Sequence, residues 1–327
     1  MGRKFLKRLL SVVIISTVAI ISATSTAASA SSYTFDVISD THYGAASYNG
    51  STKTINTLNC IKNRYPKDKC IVINGDVVDN NQNNTYNNLY RDIKYIKSGL
   101  PYIYFNYGNH EFISNPATNK TNPPKQANFN DNLETFNKVA NNIDRLLLTK
   151  PSDITGNLRN GHYSEQTVCG NTFVFLGSDK IVSSNTDSAY LNSSDLKKLQ
   201  NVINNNKNNN PIFVFVHQPI YGTTTGSTKS DWGYVTNSTA FKNIIKDHPE
   251  VIVFTSHTHV SLSDTNNYYS FGSNKAKVFS TSTVSDINTP EGYHITVQNN
   301  KVQVSSVQYR SANGTVSPYR TTTVYTK

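Results

Sequence analysis

The sequence predicts a layered α/β fold, and two observations carry that prediction. From residue 33 to residue 105, short apolar runs of strand length alternate with segments whose apolar residues recur at helical spacing, in the order strand, helix, strand, helix, strand. Each apolar run also stops at a loop that opens with Asp, Asn or His, and open α/β sheets hold their chemistry at such strand ends.

Taken in order, residues 33–39 (YTFDVIS) form a β-branched and aromatic run that keeps its strand period despite Asp36 and ends at Asp40-Thr41-His42. Residues 51–65 place Ile55, Leu58 and Ile61 about three apart, which predicts a helix. Residues 70–74 are the next strand and lead into Gly75-Asp76. Within 80–98, Leu89, Ile93 and Ile96 share one helical face, and 101–105 (PYIYF) runs into Asn106 to Glu111. Residues 114–130 read as a long surface loop and 132–148 as a helix. A hairpin follows over 162–168 and 172–177. The helix over 193–206 opens on Ser-Ser-Asp, a capping signal. A buried strand, 211–216, ends at His217. The loop at 223–234 carries the single Trp. A helix at 238–246 precedes the strand 251–254, which ends in Ser256-His257-Thr258-His259. Strands at 277–280, 292–298, 301–308 and 317–325 follow, with Asn299-Asn300 as a hairpin turn. Without a repeat or an interdomain linker, residues 31–327 read as a single domain whose last 60 or so residues complete a second sheet.

Residues 1–30 carry the pattern of a signal peptide. Arg3, Lys4, Lys7 and Arg8 precede an apolar core, and Ala28-Ser29-Ala30 supplies small residues for cleavage after Ala30. The apolar run, about 13 residues, falls short of the roughly 20 that span a bilayer. The expectation is therefore a secreted, extracellular protein with no membrane span once the leader is removed. Four basic residues behind the net charge of +10 lie in this leader, and the rest are dispersed. That leaves a mild bias towards anionic partners and no basic tract of the kind that tracks nucleic acid. Cys60, Cys70 and Cys169 are too few for a disulfide framework and fit no zinc spacing; a Cys60–Cys70 bridge stays open.

Five of the eight histidines, His42, His110, His217, His257 and His259, follow apolar strands. Imidazole and carboxylate are costly at buried strand ends unless paired or ligated, so this ordered set is a site candidate. The blocks are Asp40-Thr41-His42, Gly75-Asp76-Val77-Val78-Asp79, Gly108-Asn109-His110-Glu111, His217, and His257-Thr258-His259. In this order they resemble the calcineurin-like metallophosphoesterase family, in its secreted bacterial type, over Asp40 to His259. The resemblance implies a four-layer α/β/β/α sandwich of two mixed β-sheets flanked by helices. It further implies that Asp40, His42 and His259 hold one metal, that Asn109, His217 and His257 hold another, and that Asp76 bridges them.

Two divalent ions about 3.5 to 4 Å apart need a shared anionic ligand and can clamp a water-derived hydroxide for in-line attack at phosphorus. Mixed nitrogen and oxygen ligands suit Mn, Fe, Zn or Co, without choosing among them. In the family His110 faces substrate, where it stabilises phosphoryl charge or protonates the leaving alkoxide. Asp79 and Glu111 read as residues that orient ligands or brace their loops. Two departures are visible: Ser256 stands where the family has glycine, and Asp79 stands where purple acid phosphatases place a tyrosine, which disfavours that branch.

Around the centre, His162, Tyr221 and Trp232 are candidates for a substrate wall, with packing as the alternative reading for each. His248 reads as a surface residue and His294 as packed in a strand. The function expected is hydrolysis of phosphate mono- or diesters by a phosphatase or phosphodiesterase with no obligate protein partner. Two alternatives stand beside it. An extracellular nuclease or nucleotide phosphodiesterase, with nucleic acid entering only as substrate, would degrade DNA or RNA. A non-catalytic secreted surface or binding protein would hydrolyse no ester with any of these metals.

Overall fold

The computed structural model describes residues 32–112, 126–146, 154–156, 162–298, 301–311 and 315–325. Strands β1 (Tyr33–Ile38), β2 (Cys70–Asn74) and β3 (Tyr102–Asn106) pair in parallel, and α1 (Gly50–Arg64) and α2 (Asn83–Ile96) are the crossovers between them. After α3 (Gln126–Leu146) come β4 (Ile154–Gly156), β5 (Tyr163–Val168) and β6 (Asn171–Leu176), an antiparallel set. Next are α4 (Ser193–Asn205), β7 (Ile212–Val216), α5 (Ser238–Ile245) and β8 (Val251–Thr255), with β6, β7 and β8 parallel. Strands β9 (Tyr268–Ser270), β10 (Lys277–Ser280), β11 (Glu291–Gln298), β12 (Lys301–Ser311) and β13 (Thr315–Tyr325) complete the series.

Two mixed sheets result. One has the order β13-β12-β11-β1-β2-β3 and the other β4-β5-β6-β7-β8-β10-β9. The C-terminal segment divides between them. β9 and β10 join the second sheet, whereas β11 pairs antiparallel with β1 and carries β12 and β13 onto the first, where the sequence reading had the whole segment completing the second. A strand's preference for one sheet lies in its partner's hydrogen-bonding edge, which the strand's own sequence does not encode.

Strand alternation sorts the side chains into three packed layers. Phe35 and Val37 of β1, Phe173 and Phe175 of β6, Phe213 and Phe215 of β7 and Phe254 of β8 meet between the sheets. Their rings approach closely, with Phe35 4.9 Å from Phe173 and 5.0 Å from Phe213. On the outer face of the first sheet, Ile38, Ile71 and Ile73 pack under Leu58, Leu89, Ile93 and Phe136 of the helices. On the outer face of the second, Val214 and Val216 pack under Leu196, Leu199 and Phe241. The architecture is helix, sheet, sheet, helix.

Helix α3 starts at Gln126, inside the stretch that reads as loop. Its Asn-rich first turns have weak helical propensity, but Phe129 is fully buried with its ring 5.0 Å from Phe112, a tertiary contact that outweighs propensity. Helix α4 is capped one residue earlier than its Ser-Ser-Asp signal: the Asn192 side chain accepts from Asp195 N at 2.8 Å. Cys60 packs in the helix-side layer and Cys70 in the layer between the sheets, so they lie on opposite faces of the first sheet and no bridge joins them. The leader and the Asn299-Asn300 turn lie outside the described residues. Among those described, no helix is long and apolar enough to cross a membrane.

Candidate metal centre

The C-terminal ends of β1, β2, β3, β7 and β8 converge, and two buried asparagines join the sheets there. Asn74 Nδ2 donates to the Val216 and Phe254 carbonyls at 3.2 and 3.1 Å, and Asn106 Nδ2 to those of Leu176 and Phe215 at 3.0 and 3.3 Å. Side-chain amides of the first sheet thus donate to strand-end carbonyls of the second. The first two loops are tied by backbone bonds from Asp40 N to Gly75 O (3.1 Å) and from His42 N to Asp76 O (3.0 Å).

Backbone strain concentrates in these loops. Asp40, His42, Asp76, His257 and His259 all have positive φ, between 39° and 73°, a region that non-glycine residues rarely occupy. Such conformations persist only where the surroundings fix them. Two glycines make the approach possible: a Cβ on Gly75 would lie 2.4 Å from His217 Nδ1, and one on Gly108 would lie 2.2 Å from Asp76 Oδ1. Glu111, fully buried, accepts from four backbone amides, those of Asp76 (3.0 Å), Val77 (2.8 Å), Val78 (3.0 Å) and Gly108 (2.6 Å).

Two ligand clusters result, overlapped by a third of His42, Asp79 and His110. Asp40, His42 and His259 form one and Asp76, His217 and His257 the other, the ligand atoms of each lying within 4.8 Å of one another. Asp76 Oδ2 faces both, 3.1 Å from His217 Nε2 and 3.9 Å from His42 Nε2. Asp40 Oδ1 is 3.0 Å from His259 Nε2 and 3.8 Å from His217 Nε2. The atoms that would meet an ion are buried and, apart from the 3.1 Å approach of His217 Nε2 to Asp76 Oδ2, have no hydrogen-bond partner: Asn109 Oδ1, His217 Nε2 and His257 Nδ1. Such atoms are costly unless something binds them. The opposite nitrogen is held in three of the four imidazoles, His42 Nδ1 being the exception. His217 Nδ1 donates to the Asn74 carbonyl at 2.8 Å, His257 Nε2 to the Trp232 carbonyl, and His259 Nδ1 lies 3.1 Å from Asp286 Oδ2. Fixing one nitrogen orients the other as a ligand. The donor set of imidazoles, carboxylates and one amide oxygen fits divalent transition metals.

The electrostatics agree. Burial disfavours charge on His217, yet Asp76 and Asp40 outweigh it and push its pKa up to about 10. For His259 burial is likewise outweighed, mainly by Asp40, giving about 9. Burial and the neighbouring His110 hold His42 down at about 3. The two carboxylates therefore demand positive charge, which bound cations would supply in place of protons.

His110 stands beside the clusters. Its Nδ1 donates to the Asp79 carbonyl at 2.6 Å, and its Nε2 lies 4.0 Å from Asp76 Oδ2. With His42, Asp76, Asn109, His257, His259 and Trp232 it lines a cavity of ≈ 570 Å³. Asp79 Oδ1 sits 3.8 Å from His42 Nδ1. Of the three wall candidates only Trp232 lines the cavity. His162 instead pairs with Asp195 at the start of α4, and Tyr221 packs its ring 5.0 Å from Tyr234. His248 bonds Glu250, and His294 lies half-buried against Asp36.

Sequence reasoning missed Asp286, the partner of His259, and Asp187, whose Oδ1 accepts from Asn109 Nδ2 at 3.3 Å. Both sit in loops with no ligand motif, so no signal in the sequence marks them. Ser256 also has a part. Its Oγ lies 2.9 Å from His217 Nδ1 and donates to the Asn74 carbonyl at 2.9 Å, so the hydroxyl joins the network that orients His217.

Paired imidazole–carboxylate clusters on the strand ends of a four-layer sandwich define a metal-binding hydrolase. The sequence model of the family described as Calcineurin-like phosphoesterase matches residues 33–261, and the chain belongs to that family. No curated protein matches the sequence. Among the solved structures that share the fold are two phosphatases. A dimetal phosphatase from Danio rerio matches with a TM-score of 0.55 at 12% identity, covering 90% of this chain and 98% of that one. The purple acid phosphatase PPD1 from yellow lupin, Lupinus luteus, matches with a TM-score of 0.56 at 12% identity, covering 90% of this chain and 54% of that one.

Proposed function

We propose that the protein is an exported, dinuclear-metal phosphoesterase acting on small phosphate mono- or diesters, its mature single domain running from Ser31. The observation that carries this reading is the position of Asp76. Its carboxylate lies between His217 and His42, and buried donors of Asn109, His217 and His257 surround it. Asp40, His42 and His259 would hold one ion, Asn109, His217 and His257 the other, and Asp76 both. Bound there, the ions supply Lewis acidity towards phosphoryl oxygens and a nucleophile drawn from water.

The chain's own groups do the rest. The Asp79 carbonyl fixes the tautomer of His110, so that Nε2 is the nitrogen presented to the cavity. Burial is outweighed by Asp76 and that carbonyl, which raise the pKa of His110, and the resulting imidazolium donates Nε2–H to a phosphoryl oxygen or delivers that proton to the leaving alkoxide. Glu111 holds the Asp76 loop through its amides, and Asp286 and Trp232 hold the imidazoles of His259 and His257.

The cavity rim argues for a small substrate. Among the described residues Asp187, Asp231 and Asp286 line it and no Lys or Arg does, whereas nucleic-acid sites neutralise backbone phosphates with basic side chains. The test is hydrolysis of p-nitrophenyl phosphate and of its bis ester with Mn, Co, Zn and Fe. Turnover with at least one metal is expected, and none with any would overturn the enzymatic reading. Export is tested separately by N-terminal sequencing of protein recovered from the medium, with Ser31 expected first.

A further inference from the structure

Away from the strand-end centre, a second group of ligand atoms lies between the C-terminal end of α1 and the helix-facing side of the first sheet. Asp36 of β1, Asp68 from the turn before β2 and His294 of β11 bring one carboxylate oxygen each and one ring nitrogen within 4.8 Å of one another. Both carboxylates have no exposed side-chain surface. Two adjacent carboxylates there need a shared proton or a cation, because burying both charges is prohibitive.

The hydrogen bonds distinguish the two oxygens of each acid. Tyr309 donates its hydroxyl to Asp36 Oδ1 at 2.7 Å, and Thr34 donates to Asp68 Oδ1. That leaves the Oδ2 atoms facing His294 Nδ1, Asp36 at 3.2 Å and Asp68 at 3.9 Å. Among the described residues no N–H or hydroxyl donates to the buried Asp68 Oδ2, and the hydrogen bond left to that acid is with the Asp36 carboxyl. The His294 ring is stacked on Tyr65, centroids 3.7 Å apart and planes 12° from parallel, which fixes the direction of its nitrogen.

We propose that Asp36, Asp68 and His294 bind a further divalent transition-metal ion through Asp36 Oδ2, Asp68 Oδ2 and His294 Nδ1. Ligand atoms about 2.0 to 2.2 Å from one tetrahedral ion stand about 3.4 Å apart, which the 3.2 Å contact meets and the 3.9 Å contact approaches within a small side-chain movement. One carboxylate oxygen held by a hydroxyl and the other turned inward is the arrangement by which supporting hydrogen bonds aim metal ligands. One imidazole with two carboxylates selects Zn, Mn, Fe or Co over Ca. Burial and the neighbouring acid push the Asp68 carboxyl up to about 10, and burial alone pushes Asp36 up to about 6. Binding therefore releases the proton that the pair otherwise retains. The site is structural: it clamps the turn before β2 to β1 and β11.

The experiment counts ions in full-length protein loaded with Zn or Mn and freed of excess metal by gel filtration. Asp68→Asn and His294→Gln are each expected to hold one ion per chain fewer than the wild type, while keeping hydrolysis within about twofold. The count is a difference, so it stands whether the strand-end centre holds two ions or one. Equal metal content in wild type and both variants would overturn the site in favour of a proton-sharing pair. Should Asp68→Asn be insoluble, His294→Gln, which leaves both carboxylates in place, decides alone.

Discussion

Replacing Glu111 with Gln changes one atom of a buried side chain and tests how much of the centre its carboxylate supports. One oxygen accepts from Val77 N and Val78 N at 2.8 and 3.0 Å, and the other from Asp76 N and Gly108 N at 3.0 and 2.6 Å. An amide oxygen retains one pair of bonds, and the amide nitrogen then faces the other pair donor to donor. Each buried N–H left without an acceptor costs roughly 1 to 3 kcal/mol, and the two remaining bonds lose their ionic partner. A destabilisation of about 3 to 5 kcal/mol follows, together with a 10- to 100-fold loss of metal affinity as the Asp76 loop relaxes. Urea unfolding with chelator present measures the first, and metal titration of the folded variant measures the second. A loss below about 1 kcal/mol with unchanged metal affinity would refute the bracing role.

Other changes separate the roles of neighbouring residues. His110→Ala should keep both strand-end ions while turnover falls about 10²- to 10⁴-fold, and an emptied site would contradict its placement beside the metals. Asp286→Asn, which removes the charge facing His259 Nδ1, should weaken metal binding about 10-fold without abolishing turnover, as read by activity against free-metal concentration. His162→Ala should leave turnover unchanged, because His162 pairs with Asp195 outside the cavity lining, and a rate loss would return it to the substrate wall. The Asp36–Asp68 pair predicts a pH dependence in chelator, with His294 of β11, Tyr309 of β12, Arg64 of α1 and Tyr65 just after it facing the pair. Both carboxyls have raised pKa values in the fold, so the stabilising contribution of their protons is fully present below about pH 4 and is lost as pH rises, through about 6 for Asp36 and on through about 10 for Asp68. From Asp36 alone the loss is about 3 kcal/mol. Melting temperatures from pH 5 to 8 should fall further for wild type than for Asp68→Asn, and parallel curves would refute it.

Much of the centre was legible because a strand end that carries Asp or His contradicts its own apolar context. Asp40, Asp76, His217 and His257 each follow a run that predicts burial, and the structure brings all of them together. Sheet membership of the last three strands was not legible, because β11 reads the same whether its partner is β1 or β10. Asp187 and Asp286 were hidden for a related reason. Their loops pair them with Asn109 and His259 across 78 and 27 residues, a proximity set by the sheet order. His294 was read as a packed strand residue, which its register opposite Asp36 bears out, but nothing in its own strand announces Asp68 beside it. The start of α3 was hidden under an Asn-rich sequence and is fixed by Phe129.

The central claim is that Asp76 bridges two metal ions, and anomalous scattering from crystals of the Mn-loaded protein tests it most directly. Two peaks about 3.5 to 4 Å apart are expected, one bounded by Asp40, His42 and His259, the other by Asn109, His217 and His257, with Asp76 touching both. A single peak at the strand ends, or two peaks with Asp76 bound to only one, would contradict it.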